Sequence, residues 1–213
     1  MNLKMNMESS KWNEIALDES INNVIQSLKS AGINAVVVNN KEEAKEKVLS
    51  MIPEGSEVMT MTSVTLDSID VNEIINKSGK YISVRDKLSS IDRNKDKMEM
   101  KRLGAAPEYT IGSVHAVTED GKVVVVSNTG SQLPAYAYGA GKVIWVAGAQ
   151  KIVKNLDEAM KRIYDYILPL ESVRLNKAYN ISTGSYVSKV LIFNREFEQD
   201  RIHLILVKEN LGF

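Results

Sequence analysis

The sequence predicts an α/β fold, a mostly parallel sheet with helices on both faces plus an antiparallel hairpin, and three observations carry that prediction. Short apolar runs such as "NAVVV", "KVIWVAG" and "RIHLILV" alternate along the chain with amphipathic stretches of helical period. The last of these runs is almost wholly apolar, as a strand covered on both faces must be. "EDG" at 119–121 stands between two apolar runs, the local chemistry of a hairpin turn.

The elements follow in order. After Trp12, Ile15, Leu17, Ile21, Val24, Ile25 and Leu28 recur near helical spacing up to Gly32, a residue that ends helices easily. "NAVVVNN" then reads as a strand, and "KEEAKEKVLSMIPEG" as a charged amphipathic helix stopped before Pro53. The phrase repeats with a strand over 57–61, a hydroxyl-rich corner at Thr60, Thr62, Ser63 and Thr65, and a helix over 66–75. "YISVR" is a further strand, and 93–103 reads as a mostly exposed helix. "TIGSVHAVTEDGKVVVVSNTGSQ" reads as two strands joined at the hairpin, with a helix over 133–138 after it. The strand "KVIWVAG" leads to a helix, "NLDEAMKRIYDYIL", capped by Asn155 and closed by Pro169, and "SKVLIF" and "RIHLILV" are late strands.

A chain of 213 residues has the length of one substantial core, so a single domain is expected, with residues 1–11 a flexible amino-terminal segment. Lys and Arg total 27 and so do Asp and Glu, which leaves no global field to draw nucleic acid or an anionic membrane. The absence of cysteine excludes disulfides, thiolate zinc sites, cysteine nucleophiles and cysteine-held iron–sulfur clusters. Two histidines, His115 and His203, are not spaced as a metal site. Neither a Walker run nor a G-x-G-x-x-G run is present, so no nucleotide cofactor is expected. No stretch reaches the roughly eighteen consecutive apolar residues of a membrane span, and no segment has signal-peptide form; the expectation is a cytoplasmic protein.

Three segments that follow strands are small, polar and rich in hydroxyl or amide groups: "TMTSVT", "SNTGSQ" and "AGAQK". In a parallel sheet such segments gather on one edge, where free backbone N–H groups and Ser, Thr, Asn and Gln donors favour an anion. The candidate binding residues are Thr62, Ser63, Asn128, Thr129, Gly130, Ser131, Gln132 and Lys151, with Lys151 adding a charge. Gly130 and Gly148 would let a ligand approach the backbone closely. Each loop alone is equally the N-cap chemistry of an ordinary helix start. Glu119 is a candidate nucleophile or general base, and His115, four residues before it, would share its strand face. Against this, Glu119 and Asp120 also suit a solvated turn.

The runs "IGSVHAVTEDGKVVVVSNTGSQ", "KVIWVAGAQKIVKNLDEAMKRI", "LPLESVR" and "RIHLILVKENLGF" together resemble the lactate-utilisation (LUD) domain family, which includes the C component of bacterial lactate-utilisation operons. That resemblance implies a fold similar to the ribose-phosphate isomerases, glucosamine-phosphate deaminases and coenzyme A transferases. It implies a small anionic ligand, such as a hydroxy acid, a sugar phosphate or an acyl carrier. It further implies a non-redox subunit working beside iron–sulfur protein partners of a lactate-oxidising complex, because this chain has no cysteine to hold a cluster. An isomerase or acyl-transfer enzyme using Glu119, and a scaffold acting by protein contact alone, stand as alternatives. A homodimer is compatible with all three readings.

Overall fold

A computed structural model describes residues 11–92, 95–180 and 182–213. Ten strands form two sheets: β1 (Asn34–Val38), β2 (Glu57–Thr60), β3 (Ile82–Ser83), β4 (Tyr109–Gly112), β5 (Ala116–Thr118), β6 (Val123–Ser127), β7 (Lys142–Gly148), β8 (Ile152–Val153), β9 (Lys189–Phe193) and β10 (Ile202–Val207). The larger sheet has the order β1-β10-β7-β4-β2-β3 and every pairing in it is parallel. The smaller sheet, β8-β5-β6-β9, is mixed, with the expected hairpin between β5 and β6.

Side-chain alternation along β7 divides the interior. Val143, Trp145 and Ala147 face one apolar cluster, with Val24 and Leu28 of α1 (Asp18–Ser30), Tyr136, and Val117, Val123 and Val125 of the smaller sheet. Ile144 and Val146 face another, closed by α2 (Lys41–Ser50), α3 (Val64–Ser68) and α4 (Val71–Lys77). The far face of the smaller sheet, Ala116, Val124, Val126 and Val153, is covered by Trp12 and by Ala159, Ile163 and Ile167. Strand period two thus builds four layers from two sheets.

Several elements differ from the sequence reading. Ile15 and Leu17 precede α1 and are exposed, because the helix begins at Asp18. The helix expected over 66–75 is two, α3 and α4, divided where Asp70 takes the left-handed conformation at φ 58°. "YISVR" pairs only at Ile82–Ser83, after which Ser83 caps α5 (Val84–Ser90) by accepting from the Asp86 N–H. The exposed helix is α6 (Lys97–Ala105), which buries no residue; Arg93 and Asn94 of its expected span lie outside the described residues, as do residues 1–10 of the expected amino-terminal segment. Asn155 caps α7 (Leu156–Arg162) as read, its side chain accepting from the Glu158 N–H at 3.0 Å. Pro169 does not close that helix. A π-helical turn, Ile163–Ile167, carries it into α8 (Leu168–Tyr179), and this wide turn absorbs the hydrogen bond that proline cannot donate.

The run "TIGSVHAVT" also divides. Its first half is β4 in the larger sheet and its second is β5 in the smaller, with Ser113, Val114 and His115 as the bend between them. That bend sits at the carboxyl edge of the parallel sheet, where all six of its strands end.

Candidate functional site

β7, β4 and β2 are neighbours in the sheet, so the segments leaving them meet. Lys151 follows β7 on a 3-10 turn, Ala149–Lys151, that is buried throughout. Its Nζ donates to the Thr65 hydroxyl and the Ser113 hydroxyl, each at 3.0 Å, and to the Val114 carbonyl at 3.2 Å. Thr65 belongs to α3, beyond β2, and Ser113 to the bend after β4. Burial, reinforced by the charge of Arg162, holds the Lys151 ammonium well below the usual lysine range. The expected lysine at the edge is therefore a deeply enclosed group with three fixed acceptors.

The carboxyl-terminal strap lies across this point. Thr65 donates to the Leu211 carbonyl at 3.2 Å, and Gln150 Nε2 donates to the carbonyls of Leu211 and Gly212 at 3.0 and 3.3 Å. Asn210 ties the strap to the Asn13 carbonyl at 3.0 Å, and Phe213 packs against the cluster around Trp12. Gly148 thus permits close approach of the chain's own strap, since a Cβ there would stand 2.5 Å from the Glu209 carbonyl oxygen.

The other candidates are placed differently. Thr62 accepts from Arg85 Nη2 at 3.0 Å, and Ser63 caps α3 by accepting from the Leu66 N–H. Asn128, Thr129, Gly130, Ser131 and Gln132 follow β6 of the smaller sheet, whose end lies beside His115. Their hydrogen bonds close the loop on itself: Ser127 donates to Gln132 Oε1 at 2.9 Å, Gly130 N–H donates to Ser127 Oγ at 2.8 Å, and Thr129 bonds Ser131. Ser188 donates to Asn128 Oδ1 at 3.3 Å, and Gly130, at φ 87°, rests on the Lys189 side chain. His115 and Glu119 flank β5 at opposite ends, about 13 Å apart by strand rise, beyond hydrogen-bond reach of each other. Glu119 lines an open cleft of about 410 Å³ with Asn23, Gln26, Ser27, Asp120 and Lys154. His203 faces the opposite edge, where Nε2 lies 3.0 Å from Asp200 Oδ1.

Residues 21–207 match the model of the LUD domain. The chain belongs to the LUD-domain family. No match emerged among the curated proteins. A solved structure of a DUF162-family protein from Deinococcus radiodurans superposes on this LUD domain with a TM-score of 0.57, covering 91% of this chain and 99% of that one at 11% identity. That likeness shows the fold. Ribose 5-phosphate isomerase A from Neisseria gonorrhoeae (TM-score 0.33, 16% identity, 75% and 77% covered) superposes too loosely to bear on function. The same is true of eIF2B beta from Chaetomium thermophilum (0.35, 17%, 66% and 45%).

Among the described residues of this LUD domain, no group of three or more His, Cys, Asp or Glu side chains is arranged to hold a metal ion. No helix among them is long and apolar enough to cross a membrane.

Three residues of the centre are absent from the sequence-derived set: Thr65, Ser113 and Arg162. Thr65 lies in the hydroxyl-rich corner after β2, whereas Ser113 lies in "TIGSVHAVT", which reads as strand. Arg162 left a fainter trace, a basic residue three after the buried Ala159 on the apolar stripe of α7. It is fully buried, donates from Nη1 to the His115 carbonyl at 2.7 Å, and sits 5.3 Å from the centre of the Tyr166 ring. Burial lowers its guanidinium to about 10.

His115 makes this centre sensitive to acid. Its Nδ1 accepts the Val126 N–H at 3.2 Å, and burial, followed by the charges of Lys151 and Arg162, pushes the imidazole down to about 3 from 6.5. Between those values the unfolded chain binds the proton and the folded one does not, so stability rises with pH across that window, at up to about 1.4 kcal/mol per pH unit. The carboxyls held below their ordinary range, Asp120, Asp200 and Glu43 among them, act lower, as pH falls through about 4. Urea unfolding followed from about pH 7 to 5 is expected to show falling stability that His115→Gln flattens. An unchanged slope in that variant would assign the limb to another group.

Proposed function

We propose that this LUD domain binds a small anionic metabolite at the carboxyl edge of its parallel sheet, around Lys151, Thr65 and Ser113. The supporting observation is two buried basic side chains with no acid beside them among the described residues. Arg201 shows how this protein otherwise treats a buried cation: it is gripped by the Glu196 carboxylate at 2.5 Å. Among the described residues, neither Lys151 nor Arg162 has a carboxylate partner, and both lie close enough to depress His115. Basic groups gathered in a low-dielectric interior without an acid favour an incoming anion, which supplies the missing charge.

The metabolite class is that of hydroxy acids, sugar phosphates and acyl carriers. The family's link to lactate utilisation puts hydroxy acids first, with iron–sulfur subunits as the partners that would carry electrons for a chain lacking cysteine. Thermal unfolding with L-lactate, D-lactate, ribose 5-phosphate and acetyl-coenzyme A tests the reading. A ligand at a hundredfold excess over its Kd adds about 2.7 kcal/mol, which in a chain of this size raises Tm by roughly 5–10 °C. Lys151→Met is expected to fold and to lose that rise, because the apolar side chain fills the buried volume without the charge. A wild type indifferent to the whole panel, or a Lys151→Met variant that responds equally, would remove the proposal's support.

A further inference from the structure

Arg162 has one buried edge that no neighbour bonds. Its Nη1 is committed to the His115 carbonyl, while Nε and Nη2 are buried with no hydrogen-bond partner. Those two atoms form the side of a guanidinium that donates two parallel N–H bonds. At three other arginines the same side is closed. Arg174 holds both oxygens of Glu171 with Nε and Nη2, each at 2.7 Å, and Arg85 places the same pair on the Thr60 carbonyl at 3.0 and 2.7 Å. Arg201 turns its pair on Glu196 Oε2 at 2.9 and 2.5 Å. Arg162 is the most deeply buried of the four, so leaving two donors unused costs most there.

We infer that Arg162 is a carboxylate-binding fork, and that the small anion of the proposed function is an organic monocarboxylate held by Nε and Nη2. The inference rests on that anion-binding reading and narrows it. Two parallel donors match the two oxygens of a carboxylate. A phosphate can also take two parallel bonds from such a fork, but its remaining oxygens would then face the apolar cluster beside Arg162 without donors. The setting favours carbon beside the oxygens: Ala159 and Ile163 flank Arg162 on its helix and belong to the apolar cluster with Trp12, Val124 and Val126. Arg162 is held in place by the His115 carbonyl and the Tyr166 ring, so the fork is set before the ligand arrives. Phe213 of the strap packs on the same cluster.

The test is an arginine Nε–H spectrum of the wild-type protein, with the Arg162 signal assigned through its contact with the Tyr166 ring and titrated with sodium acetate, L-lactate and inorganic phosphate. Acetate and lactate are expected to move that signal and phosphate to leave it in place. Calorimetry with lactate should give affinity at least tenfold weaker for Arg162→Lys, which keeps the charge and loses the fork. If that variant fails to fold, the wild-type titration decides. An anion that stabilises the protein through Lys151 while the Arg162 signal stays still and Arg162→Lys binds equally would overturn this inference and leave the anion site standing. Movement with phosphate in preference to carboxylate would overturn the ligand class. An Arg162 signal unmoved by all three anions would overturn this inference, and the thermal-unfolding panel with Lys151→Met separately decides the anion site.

Discussion

Gly112→Ala is expected to cost about 3 kcal/mol of folding stability, lowering Tm by roughly 6–12 °C. A Cβ on this last residue of β4 would stand 1.5 Å from the Tyr136 hydroxyl and 2.7 Å from its ring carbon Cζ. Tyr136 has no room to withdraw. It is buried edge-on against Trp145, with ring centres 5.5 Å apart, and Trp145 is itself edge-on to Phe193 at 4.9 Å. Burial raises the Tyr136 hydroxyl above its ordinary range, and the Ser113 N–H beside it draws it partly back. The clash therefore falls one residue before a hydroxyl partner of Lys151. Thermal and urea unfolding of Gly112→Ala, and of Gly112→Ala with Tyr136→Phe, would measure it. The double variant removes the oxygen in closest contact and should regain part of the loss. A single variant within about 0.5 kcal/mol of wild type would mean that Tyr136 is not wedged on the glycine.

The second large effect is expected at Gly148, whose backbone at φ −67° and ψ 148° any residue could adopt, so the consequence of Gly148→Ala is purely steric. The new Cβ would lie 2.0 Å from Gln150 Oε1, 2.5 Å from the Glu209 carbonyl oxygen and 2.7 Å from the Leu211 nitrogen. Relief requires Gln150 to turn and the strap to move, which breaks the bonds of Thr65 and Gln150 to Leu211 and Gly212. A loss of about 2 kcal/mol is expected, together with faster amide exchange over 209–213 and faster trypsin cleavage after Lys208. Acetic anhydride should also reach Lys151 sooner in the variant. Cleavage and acetylation at wild-type rates would mean that the strap does not guard the rim.

Much of this architecture was legible because strand and helix periods repeat cleanly. "RIHLILV" carries apolar residues on both faces, and β10 does lie inside the parallel sheet between β1 and β7. The hairpin at "EDG" joins β5 to β6 as its turn chemistry required. Boundaries were less legible where a local signal competed with packing. Pro169 reads as a stop, yet the preceding π turn carries the helix on. "TIGSVHAVT" reads as one strand, yet it serves two sheets, because nothing in a continuous apolar run marks which layer each half will join.

The candidate site divides in the same way. Lys151 could be singled out from sequence because a basic residue in a small polar loop after a strand is a local pattern. Its burial and its bonds to Thr65, 86 positions away, and Ser113, 38 positions away, are not local, and neither is the strap above them. Arg162 stood on the apolar stripe of its helix, but an empty guanidinium edge has no signature in a chain of letters.

By itself the sequence determined the α/β class, the alternation of elements, the hairpin and the presence of a small polar loop with a lysine. Only the tertiary structure decided that Lys151, Ser113, Thr65 and the strap share one enclosed point, and that Arg162 is buried on the neighbouring His115 carbonyl with no carboxylate partner among the described residues. The physical reason is range: periodicity, caps and turns act over a few neighbouring residues, whereas desolvation and charge balance depend on which distant segments the fold brings together.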